Sequence, residues 1–210
     1  MSSDPRSKRA DAVNSAKREM ILAGARAVFE ADGLEGASMR AIAEAAGYTA
    51  AALYFHFPSK EAVYGAVLEQ SLDGLILAVT GTVSSAENAP RRLRAAALAF
   101  FDFYAGNPRD LDLGFYLFRG GMRPRGLSQE LDQRLNAKLI NALAPIGTAA
   151  RDLGASPARA RVVTAGIFAH AAGLLLLDHT GRLKLFAAKA RVLMDAHVTR
   201  VIRELEETQR

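Results

Sequence analysis

The stretch Ser38–Lys60, SMRAIAEAAGYTAAALYFHFPSK, constrains this chain more than any other. Ser38 is placed to cap a short helix over Met39–Ala46. Gly47 follows, where a left-handed backbone costs nothing without a Cβ. Thr49 is placed to cap a second helix, Ala50–Phe57, and Tyr48 is expected to pack inward. Ile42, Ala46, Tyr48 and Leu53 are the apolar positions that would hold the two helices at an angle, with Ala43 small at their crossing. This pattern describes a helix-turn-helix, whose second helix enters the major groove of DNA. It equally describes an ordinary pair of short helices around a glycine, and the residues that follow decide between them.

Those residues, Leu53-Tyr54-Phe55-His56-Phe57-Pro58-Ser59-Lys60-Glu61, closely resemble the signature of TetR-family transcriptional regulators. In that family a Leu-Tyr-x-His-Phe run ends the recognition helix and a Ser-Lys-Glu opening starts a long fourth helix. The resemblance extends back through Ile21–Phe29 and Ala41-Ile42-Ala43, about the first third of the chain. It implies an all-α protein: an N-terminal three-helix DNA-binding domain, then a helical domain for effector binding and dimerisation. The expected division is 1–14 as a flexible basic arm, 15–65 as the helix-turn-helix domain and 66–210 as the second domain.

For DNA contact the resemblance implies Tyr54, His56 and Lys60 on phosphates, Tyr54 also reaching bases, and Ser38 and Arg40 near the backbone or a base edge. Arg40 is the best candidate for a guanine contact. The leading face of the recognition helix is Thr49, Ala50, Ala51 and Ala52, none of which makes the bidentate base contacts of Arg, Asn or Gln. Thr49 can hydrogen-bond or touch a thymine methyl, and the alanines offer close apolar approach. Readout is therefore expected to be apolar and shape-based. Phe57 is expected to plug the small domain's core. Lys60 in the first turn of a helix opposes the dipole, which a phosphate partner would offset.

The flanking segments fit this frame. Residues 1–18 carry five basic against two acidic side chains, an arm that could reach phosphates or serve only as a solvated tail. A first helix is expected over Ser15–Asp32, its inner face Ile21, Leu22, Ala25, Val28 and Phe29. A fourth, capped by Ser59, carries an apolar seam to about Thr80 and, by resemblance, acts as a lever between domains. Further helices are expected over Pro90–Ala105, Arg109–Phe118, Ser128–Asp152, Ser156–His179 and Leu183–Glu207, with no run of strand period.

Aromatic residues concentrate in the second domain. Phe100, Phe103, Tyr104, Phe115, Tyr116 and Phe118, with Met122 and His170, are the candidates for an effector cavity; the alternative is that the rings simply fill the core. His170 has two further readings, a dimer contact and a satisfied core histidine. The next-to-last helix is rich in small residues. By resemblance the last two helices of each subunit form a four-helix dimer interface, with Gly166, Ala169, Gly173, Met194, Val198, Val201 and Ile202 as its candidates. A two-fold dimer would read two half-sites.

Composition closes off other classes. With no cysteine, disulfides and thiolate metal sites are excluded, and the chain suits a reducing cytoplasm. A net charge of +5 fits a nucleic-acid partner. No apolar run follows the early charges, and the longest apolar stretch, Ala165–Leu177, is short for a bilayer span, so a cytoplasmic chain without a membrane partner is expected. No phosphate loop, dinucleotide glycine pattern or nucleophile elbow is present, and neighbouring Asp178 and His179 do not face each other on a helix. No catalytic residue, metal or cofactor is expected. The expected partners are an operator duplex, a second copy of the chain and an unidentified apolar or aromatic effector that releases the operator. The rival readings are a DNA-binding protein governed by a protein partner or acting structurally, and, more remotely, a helical enzyme.

Overall fold

The computed structural model describes residues 5–115 and 128–208. It is all-α, with no strand among the described residues. The helices are α1 (Pro5–Gly36), α2 (Met39–Ala45), α3 (Ala50–Tyr54), α4 (Lys60–Ser84), α5 (Ala89–Gly106), α6 (Pro108–Phe115), α7 (Gln129–Asp152), α8 (Pro157–His179) and α9 (Ala190–Glu207). A 3-10 turn, Arg182–Phe186, precedes α9. The chain divides into two compact units, Met1–Gln70 with Asp112–Gln133, and Ser71–Leu111 with Arg134–Arg210. The first unit thus takes a segment that the sequence division assigns to 66–210.

The first unit is built on α1. Its Ile21, Leu22, Ala25 and Phe29 are buried with Ile42, Ala43 and Ala46 of the α2 region, Leu53 of α3, and Phe57. Gly24 makes this packing possible: a Cβ there would lie 2.7 Å from the Ala46 nitrogen, so the two backbones meet without a side chain between them. The α2–α3 turn follows the expected chemistry. Ser38 Oγ accepts from the Ala41 amide at 3.1 Å, and Thr49 Oγ1 from the Ala52 amide at 3.2 Å. Between them Gly47 adopts φ +74° and the Tyr48 amide donates to the Ala43 carbonyl at 2.8 Å. The next helix, α4, is capped by Ser59, whose Oγ accepts from the Ala62 amide at 3.3 Å. Its Tyr64 packs edge-on against Phe29, with centroids 4.9 Å apart, and donates to the Leu113 carbonyl at 2.7 Å.

Several element boundaries differ from the sequence reading, three of them at the N-terminal arm, the recognition helix and the last helix. The first helix begins at Pro5 rather than Ser15, so residues 5–14 continue α1. Pro suits the first helical turn, and the Arg, Lys and Ala after it are good helix formers. The third helix stops at Tyr54, not Phe57. The last begins at Ala190, because Leu183 lies in the 3-10 turn and Ala187 takes φ +48°, which ends any helix through 183–189.

The second unit packs α5, α8 and α9 around Leu93, Phe100, Phe101, Ile167, Ala171, Met194 and Val198, all buried. The C-terminal part of α7 adds Ala142, Leu143, Ile146 and Ala150, and the helix runs on through Pro145. Ion pairs Arg92–Asp152 (2.8 Å) and Arg94–Asp195 (2.6 Å) tie the helices at their edges. Such exposed pairs contribute little beside the buried apolar surface. Two helices, α4 and α8, are long and apolar enough to cross a membrane by length and composition alone. Most of that stretch is buried in α4, but only 28 % of it in α8, which leaves an unusually apolar helix facing outward.

Candidate nucleic-acid interface

The predicted DNA-binding side chains gather around α2 and α3. Ser38, Arg40, Thr49, Ala51 and Tyr54 are exposed, and Ala50, His56 and Lys60 are half-buried. Ser38 and Thr49 spend their oxygens capping helix starts, which fixes where each helix begins and leaves each hydroxyl proton free to donate. Leu53, fully buried, turns the opposite face of α3 outward, with Tyr54 55 % exposed.

Lys60 has a structural task that sequence spacing does not reveal. Its Nζ donates to the Glu35 carbonyl at 3.2 Å and to the Ala37 carbonyl at 3.0 Å, satisfying backbone acceptors where α1 ends. One N–H of the ammonium remains for another acceptor. Phe57 plugs the core at 3 % exposure, as its spacing from Leu53 implies. The guanidinium of Arg18 lies 4.4 Å from the Phe57 ring centroid.

An open cleft of about 850 Å³ lies between α1 and the α2–α3 region, lined by Asn14, Ser15, Lys17 and Arg18 on one side and by Thr49, Ala51, Ala52, Phe55 and His56 on the other. Sequence spacing singles out neither Phe55 nor Asn14 and Ser15, and it counts Lys17 and Arg18 only as part of a basic arm. Phe55 is 91 % exposed. Its signal was available: Leu53 and Phe57, four apart, mark the buried side, and Phe55 between them falls on the other.

The second unit treats its aromatic residues unevenly. Phe100 and Tyr104 are buried and packed ring against ring, with Phe100–Tyr104 and Phe103–Tyr104 centroids each 5.3 Å apart and Phe168 5.7 Å from Phe100. Burial raises the Tyr104 hydroxyl to about 12. Phe103 is half-buried and lines a groove of about 510 Å³ with Leu98, Arg94, Asp102 and Arg191. The Phe115 backbone closes α6; Tyr116, Phe118 and Met122 lie outside the described residues.

The structure pairs His170 with His197, whose rings stack 3.9 Å apart at 22°. Arg200 Nη2 lies 2.9 Å from His197 Nδ1, so that nitrogen is the acceptor, since a guanidinium only donates. The Nε2 atoms of both rings are buried with no hydrogen-bond partner among the described residues. Burial lowers both imidazoles from their ordinary range; the His170 ring lowers His197 further, and Arg200 lowers both.

Of the dimer candidates, Gly166, Ala169 and Gly173 are exposed on α8, and Val201 and Ile202 are half-buried on α9. Met194 and Val198 are corrections: each is 0 % exposed inside the chain, because α9 turns them toward its own unit's core. The large apolar side chains that α8 and α9 leave exposed are Val162, Leu177, Val192 and Leu193.

Residues 21–67 match the family model described as bacterial regulatory proteins, tetR family. The chain is 40 % identical over 87 residues to the HTH-type transcriptional activator FasR of Mycolicibacterium smegmatis, a match covering 41 % of this chain and 40 % of FasR. It thus spans well under half of that relative's length. Among solved structures, a Rhodococcus protein of unknown function shares the fold with a TM-score of 0.72 and 26 % identity, covering 90 % of this chain and 95 % of the other. The transcriptional regulator FadR of Bacillus subtilis, crystallised with stearoyl-CoA, shares it with a TM-score of 0.67 and 17 % identity over 88 % of this chain and 96 % of FadR.

Proposed function

We propose that the chain, whose residues 21–67 match the tetR family of bacterial regulatory proteins, is a transcriptional regulator rather than an enzyme: a cytoplasmic homodimeric repressor that an apolar or aromatic effector releases from a palindromic operator. The observation that carries the DNA half is the α3 face. Thr49, Ala51 and Tyr54 stand exposed, while Leu53 on the other side is fully buried and fixes the helix in place. In this reading each protomer sets α3 into one major groove, Arg40 reaches a base edge, and Tyr54 and His56 take phosphates.

The outward apolar face of α8 supports the homodimer, since Gly166, Ala169 and Gly173 allow a second helix to approach closely. The helix α4 runs unbroken from Lys60 to Ser84, contributing residues to both units. We take it as the element that passes an effector-induced change to α2 and α3, as a shift of population between two dimer geometries. FadR of Bacillus subtilis is crystallised with stearoyl-CoA, which makes a long-chain acyl thioester the first effector to test.

A second reading, DNA binding governed by a protein partner, is favoured by one observation: Phe100 and Tyr104 are buried ring against ring rather than around a space. One experiment separates the two. A gel shift uses DNA flanking the chain's own gene, at about 150 mM salt with excess competitor. The expected result is a discrete complex, weakened by Tyr54→Ala and dissolved by acyl thioester. A complex indifferent to every small molecule would favour the second reading; the absence of any specific complex in a genome-wide selection would sink both.

A further inference from the structure

Two open clefts among the described residues carry arginine on their walls, and they differ in charge. In the second unit's groove every arginine faces a carboxylate: Arg91 with Glu87 at 2.5 Å, Arg94 with Asp195 at 2.6 Å, and Arg191 with Asp102 at 2.5 Å. That groove is close to neutral. The cleft between α1 and α3 contains Lys17 and Arg18 and, among the described residues, no acidic side chain in its lining. Among the described residues, neither Lys17 nor Arg18 has a carboxylate partner. The same walls carry Asn14, Ser15, Thr49 and His56, all able to donate a hydrogen bond.

We propose that this cleft seats the sugar–phosphate backbone of DNA beside the half-site, so that each protomer grips the duplex through α1 as well as through α2 and α3. The proposal rests on the DNA-binding reading above and adds a second contact surface to it. Asn14, Ser15, Lys17 and Arg18 lie within five consecutive residues of one helix, so a single rigid turn presents two cations and two neutral donors together. The Phe57 ring lies against the Arg18 guanidinium and holds its orientation, while the in-plane N–H groups stay available for a phosphate. Phe55, 91 % exposed on the opposite wall, gives the sugar edge an apolar surface to cover. Phosphate contacts carry no sequence information, so this seat adds affinity and fixes register while α3 reads the bases.

Because such contacts are independent of sequence, the test needs no operator. Full-length chain is titrated with a mixed-sequence duplex of about 40 base pairs between about 50 and 200 mM salt, and the slope of log affinity against log salt is measured. Lys17→Ala is expected to lower the magnitude of that slope by about 0.9 for each phosphate that the lysine neutralises. Lys184→Ala removes the same charge from the exposed 3-10 turn and is expected to leave the slope unchanged. Ser15→Glu, which places a negative charge in the cleft on an exposed helix surface, should weaken binding about tenfold at about 100 mM salt. The chain has no tryptophan, so Phe55→Trp supplies a single indole fluorophore in the cleft, whose emission should change as duplex is added. If wild type binds and Lys17→Ala keeps its slope, while the Phe55→Trp emission stays constant through the titration, the cleft is not a backbone seat although DNA binding stands. If wild type does not bind duplex at all, the DNA-binding reading falls and the seat with it.

Discussion

Gly24 of α1 and Ala46 at the end of α2 meet backbone to backbone, closely enough that a Cβ on Gly24 would stand 2.7 Å from the Ala46 nitrogen. The obstacle is main chain, which cannot swing aside as a side-chain tip can. Gly24→Ala is therefore expected to destabilise the first unit by about 3 kcal/mol, the upper range for overpacking. Gly81→Ala on α4, where an added Cβ meets nothing within 4 Å, should instead stabilise by about 0.5 kcal/mol through helix propensity. Paired urea titrations measure both, and equal effects would contradict the close approach.

Lys60 is expected to act on stability before it acts on DNA. Its ammonium serves the Glu35 and Ala37 carbonyls, so Lys60→Met should lower stability by about 1 kcal/mol. Lys17→Ala, from an exposed position, should leave the melting temperature unchanged. Calorimetry distinguishes them; a Lys60→Met melt like that of wild type would leave the capping bonds without weight.

The stacked imidazoles predict a direction with pH. Burial, then the neighbouring charges, hold His170 and His197 below their ordinary range in the folded chain, with the Leu193 carbonyl opposing the shift at His170 and Glu204 at His197. The unfolded chain then binds protons more readily than the folded one as pH falls below about 6.5. Stability is full above that value and is lost as pH drops toward the depressed folded values. Melting temperature should fall between about pH 7.5 and 5.5. A variant with His170→Gln and His197→Gln should lose part of that slope; a slope identical to wild type would assign the acid sensitivity elsewhere.

Ala169 lies exposed on α8 amid Gly166 and Gly173, and a charge there would sit in the middle of the proposed dimer face. Ala169→Glu is expected to yield monomers in analytical ultracentrifugation at micromolar concentration, with helical content unchanged. Loss of operator binding should accompany it, because two half-sites need two protomers. A dimer that survives Ala169→Glu would place the two-fold contact on another face.

The helix-turn-helix was legible because its signals are local. Ser38, Gly47 and Thr49 each act on backbone groups within a few residues, and the structure gives each the role its chemistry suggests. What escaped was set by distant partners. The engagement of Lys60 with α1 joins residues more than 20 apart in sequence. Met194 and Val198 share an apolar stripe with residues that stay partly outside, and only the packing of α9 on its neighbours tells the inner side from the outer. Phe55 was hidden by a boundary: extending α3 to Phe57 made it one more helical residue, whereas the helix ends before it.

The run Ala50–Ala52 leaves the proposed reading face of α3 with methyl groups where other side chains would extend. A helix so shorn has no reach, and can meet base edges only by lying deep in the groove. Discrimination then comes from collision rather than from a missing hydrogen bond. A bulky or methylated base edge in the wrong place keeps the whole helix out, and the cost falls on every contact at once. Such a surface is also open to change, because a single substitution at Ala51 that restores a long polar side chain would turn a depth gauge into a letter reader.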